Sequence, residues 1–284
     1  MTRPAVPAAT LTWLDGEATQ VLPLPDRGLA FGDGLFETLL LCAGQPLYLD
    51  EHLQRLWRGL DALSLPDCLQ AARAQVESAA AEISAQGWQW CALRLTVTRG
   101  GGPRGYTPPP AQAPRLLLQA ARLSADHGSL PAPATLGEVD IRLAAQPALA
   151  GIKHLNRLEQ VLAARQAAQL GVDEALLLDS RGELASVIAG NLFLRRGDQL
   201  LTPRLEDCGV AGTRRALVMG RWAAAAGLGV REARLTPQDL EAADEAFYSN
   251  SLQGLRPLAG FRGRRWREHE ACAALFAQYR GELP

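Results

Sequence analysis

The sequence predicts a mixed α/β (α+β) fold in two domains, and three observations predict it. The chain has 284 residues and is 48% hydrophobic, enough to bury a large core and to exceed one small domain. Helical and strand periodicities occur in both halves, with no internal repeat and no low-complexity segment. Residues 124–133 are rich in small and turn-forming side chains, and are expected to link an N-terminal domain of residues 1–123 to a larger C-terminal domain of residues 134–284.

In chain order, Leu53, Leu56, Trp57, Leu60 and Leu63 recur at helical spacing after Asp50, which is expected to cap that helix. His52, Arg55 and Arg58 fall on its other face. A second helical pattern runs over 69–85. Cys91, Leu93, Leu95 and Val97 then alternate with Arg94, Thr96 and Thr98, the period of a strand with one polar face. The Gly- and Pro-rich stretch 100–110 ends that strand, and another is expected over 115–121. Leu155, Leu158, Val161, Leu162 and Leu170 form a helical stripe, and 175–178, 191–194 and 246–249 read as short strands. Helices are expected over 213–225 and 268–279.

Composition narrows the function. The net charge is −1 with both signs interspersed, so no strong field draws the chain to nucleic acid or an anionic membrane. The basic run 262–267 reads as a solvated turn. Residues 1–10 lack the apolar core of a secretion signal, and no apolar stretch approaches the roughly 20 residues of a membrane span, so the cytosol is the expected compartment. Cysteines 42, 68, 91, 208 and 272 form no C-x-x-C pair and stand apart from the four histidines, which points to small buried hydrophobes and away from a zinc site or a disulfide framework.

Lys153 is the sole lysine, against 28 arginines among the 29 basic residues. Arginine replaces lysine as a surface cation but cannot become a free amine nucleophile. A lone lysine is thus a candidate for imine chemistry with a carbonyl, although composition alone also fits a single surface cation left in an arginine-rich chain. Gly209-Val210-Ala211-Gly212, leading into a helix at Thr213, is expected to offer unpaired backbone N–H groups and the positive end of a helix dipole to an anion.

An ordered set of motifs carries a family resemblance over nearly the full length. It comprises 26–28, 31–38, His52 with Arg55, 98–100 with 104–106, the lysine segment 151–160, 191–193, 202–204, 209–212 and 249–252 before Pro257. With these the chain resembles the fold type IV pyridoxal phosphate (PLP) enzymes, of D-amino-acid aminotransferase-like fold, and within them the 4-amino-4-deoxychorismate lyases. The resemblance implies that Lys153 binds PLP covalently and then works as general base and acid. It implies phosphate contacts from Arg55, Gly212, Thr213, Arg214 and Ser251. It also implies substrate contacts from Arg104, Tyr106 and Asn250, with Thr38 near the reacting carbon. A small-molecule substrate and a homodimer follow from the same likeness. Before it, Arg55 reads as an ordinary helical arginine, Thr38 as a β-branched strand residue, and Gly32-Asp33-Gly34 as turn chemistry.

Two positions depart from the pattern. Ser186 stands where these enzymes carry a glutamate beside the pyridine nitrogen, and Glu183 is expected to point elsewhere. Leu40 replaces an arginine found in many relatives. A neutral hydroxyl supports a protonated ring less well than a carboxylate does, so elimination is expected to survive while transamination is weak. A D-amino-acid or branched-chain transaminase of the same fold, a non-catalytic binding relative, and a lyase-like enzyme of a chorismate-derived pathway other than folate are the competing expectations, and the retained Lys153 argues against the second.

Overall fold

The structure, a computed structural model, describes residues 10–284. The expectation about a secretion signal concerns residues 1–10, of which 1–9 lie outside the described ones. Chain contacts divide the molecule into two compact units, one running to Asp126 and including Lys153–Leu155, the other made of His127–Ile152 and Asn156–Leu283. The expected linker spans the division after Asp126. Lys153, expected in the C-terminal domain, belongs with the first unit, because Phe36 N–H donates to Lys153 O at 2.9 Å and Leu155 N–H donates to Gly34 O at 3.0 Å.

The first unit contains, in order, β1 (Thr10–Leu14), β2 (Glu17–Ala18), α1 (Arg27–Phe31), β3 (Gly34–Cys42), β4 (Gln45–Pro46), α2 (Leu49–Ala62), α3 (Leu69–Ala85), β5 (Trp90–Thr98) and β6 (Arg115–Leu123). Its sheet has the order β2-β1-β6-β5-β3-β4, and β3, β5 and β6 pair antiparallel over nearly their full lengths. One face, carrying Leu39, Leu41, Leu93, Leu95, Leu116 and Leu118, is buried with Leu56 and Leu60 of α2 and Val76 and Ile83 of α3. Gly59 lets α2 approach β3 closely, since a Cβ there would stand 2.7 Å from Leu35 side-chain carbons.

Helix α2 starts at Leu49, not after Asp50, with Tyr48 in the left-handed region at φ 58° as its cap. Asp50 instead lies in the first turn, where a carboxylate suits the helix dipole, and pairs with Arg73. Trp57 is exposed, whereas His52 and Arg55 of the expected outer face are buried. The reason is a carboxylate on the strand beneath them, described below.

The second unit contains β7 (Ala134–Leu143), α4 (Leu158–Leu170), β8 (Glu174–Asp179), β9 (Leu184–Val187), β10 (Asn191–Arg196), β11 (Gln199–Pro203), α5 (Thr213–Leu217), α6 (Ala223–Ala225), β12 (Gly229–Ala233), α7 (Pro237–Glu241), β13 (Glu245–Asn250), β14 (Gly254–Phe261), β15 (Arg264–Arg265) and α8 (Glu270–Gly281). A π-helical turn over Val218–Trp222 joins α5 to α6, so the helix expected over 213–225 is continuous but not uniform. The sheet runs β12-β11-β10-β13-β14-β7-β8-β9, with β15 on β14. Helix α4 packs on β7 and β8 through Ala163 and Ala167. The larger residues of the helical stripe, Leu158, Val161, Leu162 and Leu170, are exposed, and the small Ala163 and Ala167 take the buried face. All five cysteines are free thiols, with 42, 91 and 272 buried. No helix among the described residues is long and apolar enough to cross a membrane.

Candidate active site

Alternation along β3 sends Phe36, Thr38 and Leu40 to one face of the first sheet and Leu35, Glu37 and Leu39 to the other. On the first face Phe36 lies opposite Thr96 of β5, Thr38 opposite Arg94, and Leu40 opposite Ala92. The segment Lys153–Leu155 runs beside the start of β3, with a bridge between Leu35 and His154. This brings Lys153 Nζ to 4.2 Å from the centre of the Phe36 ring, and the Arg94 guanidinium carbon lies 3.8 Å from the same ring centre. Two cationic side chains thus share one aromatic ring.

Arg94 falls on the polar face of the alternation in β5, and the sequence assigns it no role in a site. It is half-buried, and burial lowers its pKa, yet a guanidinium stays charged in a protein. Its Nε donates to Thr96 Oγ1 at 3.3 Å, and among the described residues no carboxylate lies within 4 Å of it. A partly desolvated cation without a counter-ion favours an anionic ligand.

The opposite face explains His52 and Arg55. Glu37 is 1% exposed; its Oε1 accepts from Arg55 Nε at 2.8 Å, its Oε2 accepts from Arg55 Nη2, and His52 Nδ1 lies 2.6 Å from Oε2. Burial alone would push this carboxyl up, but the Arg55 charge and hydrogen bonds and then His52 outweigh it, giving a pKa of about 2. Arg55 therefore has a structural partner that sequence did not reveal, and a phosphate contact from it stands as a proposal.

In the second unit, Gly151 precedes Lys153 by two residues and fastens the loop expected to seat an anion. Gly151 N–H donates to Gly209 O at 3.0 Å, and Ala211 N–H donates to Gly151 O at 2.9 Å. Asn191, at the start of β10, donates from Nδ2 to Val210 O at 2.8 Å and accepts from Gly212 N–H at 3.1 Å. A Cβ at Gly212 would stand 2.1 Å from Asn191 Oδ1, so any larger residue there would displace the Asn191 side chain and its two hydrogen bonds to this loop. These bonds correct the expectation that the loop's own amides are unpaired: those of Ala211 and Gly212 are taken. Donors are instead offered by the helix head that follows, before the first helical bond from Ala216 N–H to Gly212 O.

At that head, Thr213 Oγ1 lies 3.4 Å from Ser251 Oγ, and Arg214 donates from Nη2 to Ser251 O at 3.2 Å. Thr213 and Arg214 are buried. Two hydroxyls and a buried guanidinium at a helix start are a donor set that suits a phosphate dianion. Asn250 Oδ1 accepts from the amides of Leu252 and Gln253, so it shapes the turn bearing Ser251. Ser186 is buried on β9, opposite Leu177. Glu183 pairs with Arg181 and Arg234.

Arg104 and Tyr106 are exposed on the loop between β5 and β6, and the Tyr106 ring lies 5.5 Å from that of Phe31. Within the first unit these two side chains project outward.

The fold and these residue sets define an enzyme of the class IV aminotransferase type. Residues 34–261 match the family described as Amino-transferase class IV, and the chain belongs to that family, whose members generally depend on PLP. It is 31% identical over 257 residues to an aminodeoxychorismate lyase of Vibrio harveyi, covering 87% of this chain and 90% of that one. The crystal structure of 4-amino-4-deoxychorismate lyase from Pseudomonas aeruginosa is 37% identical, with a TM-score of 0.87 over 96% of this chain and 99% of that one. Transaminases are relatives too: a D-alanine aminotransferase of Listeria monocytogenes is 29% identical, covering 84% of this chain and 82% of that one.

Proposed function

We propose that this chain is a PLP-dependent lyase that converts 4-amino-4-deoxychorismate to 4-aminobenzoate and pyruvate, the step that feeds folate synthesis. The observation that carries the reading is the sole lysine and a guanidinium that has no carboxylate partner among the described residues, both on one ring, Phe36. An amine nucleophile thus has a reader of carboxylates beside it.

Thr213, Arg214 and Ser251, with Arg55, would hold the cofactor phosphate, and Gly212 would give the backbone room. Bound PLP would supply an electrophilic carbon for the substrate amine and a sink for the electrons left when the neighbouring carbon loses its proton. Lys153 would hold that electrophile covalently through Nζ, give way to the substrate amine, and take the proton as general base. Arg94, with Arg104 and Asn250, would bind substrate carboxylates, and Thr38, opposite Arg94, would put a hydroxyl near the reacting carbon. Loss of pyruvate makes the remaining ring aromatic, so the substrate supplies its own driving force.

Ser186 argues for elimination over transamination within the same fold. It would give the ring nitrogen a neutral partner, and amino-group exchange with a 2-oxo acid leans harder on a protonated ring. The test is direct. Purified protein incubated with aminodeoxychorismate should yield 4-aminobenzoate, Lys153→Arg should abolish the product, and exchange between amino acids and 2-oxo acids should be negligible. No product at high enzyme concentration would remove the lyase reading, and rapid exchange would replace it with a transaminase.

A further inference from the structure

Gly32-Asp33-Gly34 reads from sequence as turn chemistry and Arg27 has no role of its own there, yet Asp33 and Arg27 both converge on the long connection between β5 and β6. Asp33 Oδ2 accepts from Arg27 Nε and from Arg99 Nε, each at 2.8 Å. Arg99 also donates to Leu63 O at 2.8 Å, to Ser64 O at 3.1 Å and to Gln112 Oε1 at 2.6 Å, which anchors the base of the connection. Arg27 reaches its tip. Nη1 donates to Gly105 O at 3.0 Å and Nη2 to Tyr106 O at 2.8 Å, so one planar fork holds two consecutive carbonyls.

Both arginines are buried, Arg27 at 4% and Arg99 at 3% exposure. Burying two guanidiniums is costly unless their donors are satisfied and a counter-charge is present, and Asp33 supplies that charge. Burial raises the Asp33 pKa, but hydrogen bonds from Arg99 and Arg27 outweigh it and hold it below the usual range. The held segment needs a clamp. Gly105 sits at φ 101°, which glycine leaves easily, and it lies between Arg104 and Tyr106, whose side chains are exposed.

We propose that Arg27 is a positioning residue: its fork on the Gly105 and Tyr106 carbonyls fixes the direction in which Arg104 and Tyr106 project, and so sets affinity for a dicarboxylate substrate without taking part in the chemistry. The inference rests on the proposed role of the Arg104–Tyr106 segment in substrate binding. Preorganisation is the physical gain, since a loop already held in its binding shape loses less entropy when the ligand arrives. The base of the loop keeps its Arg99 anchors when Arg27 is changed.

The test compares wild-type holoenzyme with Arg27→Lys and Arg27→Met. Lysine keeps the charge beside Asp33 but cannot hold two carbonyls in a plane. Both variants should be cut by trypsin after Arg104 at least about tenfold faster, since losing even one of the two charge-assisted bonds is worth about that factor. KM for aminodeoxychorismate, and the dissociation constant of its unreactive hydroxyl analogue chorismate, should rise by a similar factor, with kcat changing less than about twofold. Unchanged trypsin cleavage in both variants overturns the clamp. Faster cleavage with unchanged chorismate affinity overturns its positioning role and leaves a merely structural one. If the wild type neither turns over aminodeoxychorismate nor binds chorismate, the lyase reading falls and trypsin cleavage alone decides the clamp.

Discussion

Arg94 shows what a single residue adds to a pattern. The alternation of β5 already marked it as the polar face of a strand, but periodicity says nothing about what stands opposite or what is missing nearby. The cross-strand partner Thr38, the shared Phe36 ring and the lack of a carboxylate among the described residues turn it from a polar-face residue into a candidate anion reader. Its removal should therefore act on binding. Arg94→Met is expected to raise KM for the carboxylate substrate by about 10- to 100-fold, the worth of a hydrogen bond to a charged group, while the cofactor absorbance spectrum stays that of the wild type. Arg94→Lys should recover part of the loss, since a point charge replaces a fork. Steady-state kinetics with each variant checks this, and an unchanged KM would return Arg94 to a structural role.

Elements were legible where one face of a helix or strand dominated, and illegible where long-range partners decided. The alternation of β5 and the short runs of β8, β10 and β13 gave strands near their observed positions. The pattern behind α2 gave a helix but misplaced His52 and Arg55, because Glu37 on a different element demands counter-charges that local periodicity cannot foresee. The apolar stripe of α4 gave the right element, although it marks the exposed face. The loop at Gly209–Gly212 is expected from sequence to seat an anion on its own amides, but those of Ala211 and Gly212 are taken, and its fastening by Asn191 depends on a residue about 20 positions away that local pattern does not reveal. That fastening makes a prediction at the scale of the loop. Asn191→Ala removes two hydrogen bonds, each worth about 1 kcal/mol, and should weaken PLP binding at least about tenfold. Affinity for pyridoxal, which lacks the phosphate, should change little. Absorbance titration of apoprotein with the two compounds separates the outcomes, and equal losses for both would mean that Asn191 supports the fold at large.

At the scale of the molecule, composition gives no sign that Lys153–Leu155 belongs with the first sheet, since that return depends on backbone bonds to Gly34 and Phe36. The first unit also carries a buried charge cluster whose effect should be global. Glu37 joins β3 to α2, and its folded pKa of about 2 lies below its ordinary 4.5. A carboxyl depressed on folding contributes its full stability above the unfolded value, and that contribution is lost as pH falls through the folded one. The melting temperature should therefore drop as pH is lowered from 4.5 towards 2. Asp33, Asp173 and Asp239, also held below their usual values, add to the same slope. Glu37→Gln keeps the shape but leaves Arg55 buried without its counter-ion, which should cost about 3–5 kcal/mol at neutral pH. Because glutamine does not titrate, the variant should lose less stability than the wild type across the acid range. Thermal melts of both proteins from pH 7 to pH 2 measure the two slopes, and parallel curves would show that the Glu37 pair is not the group whose protonation weakens the fold.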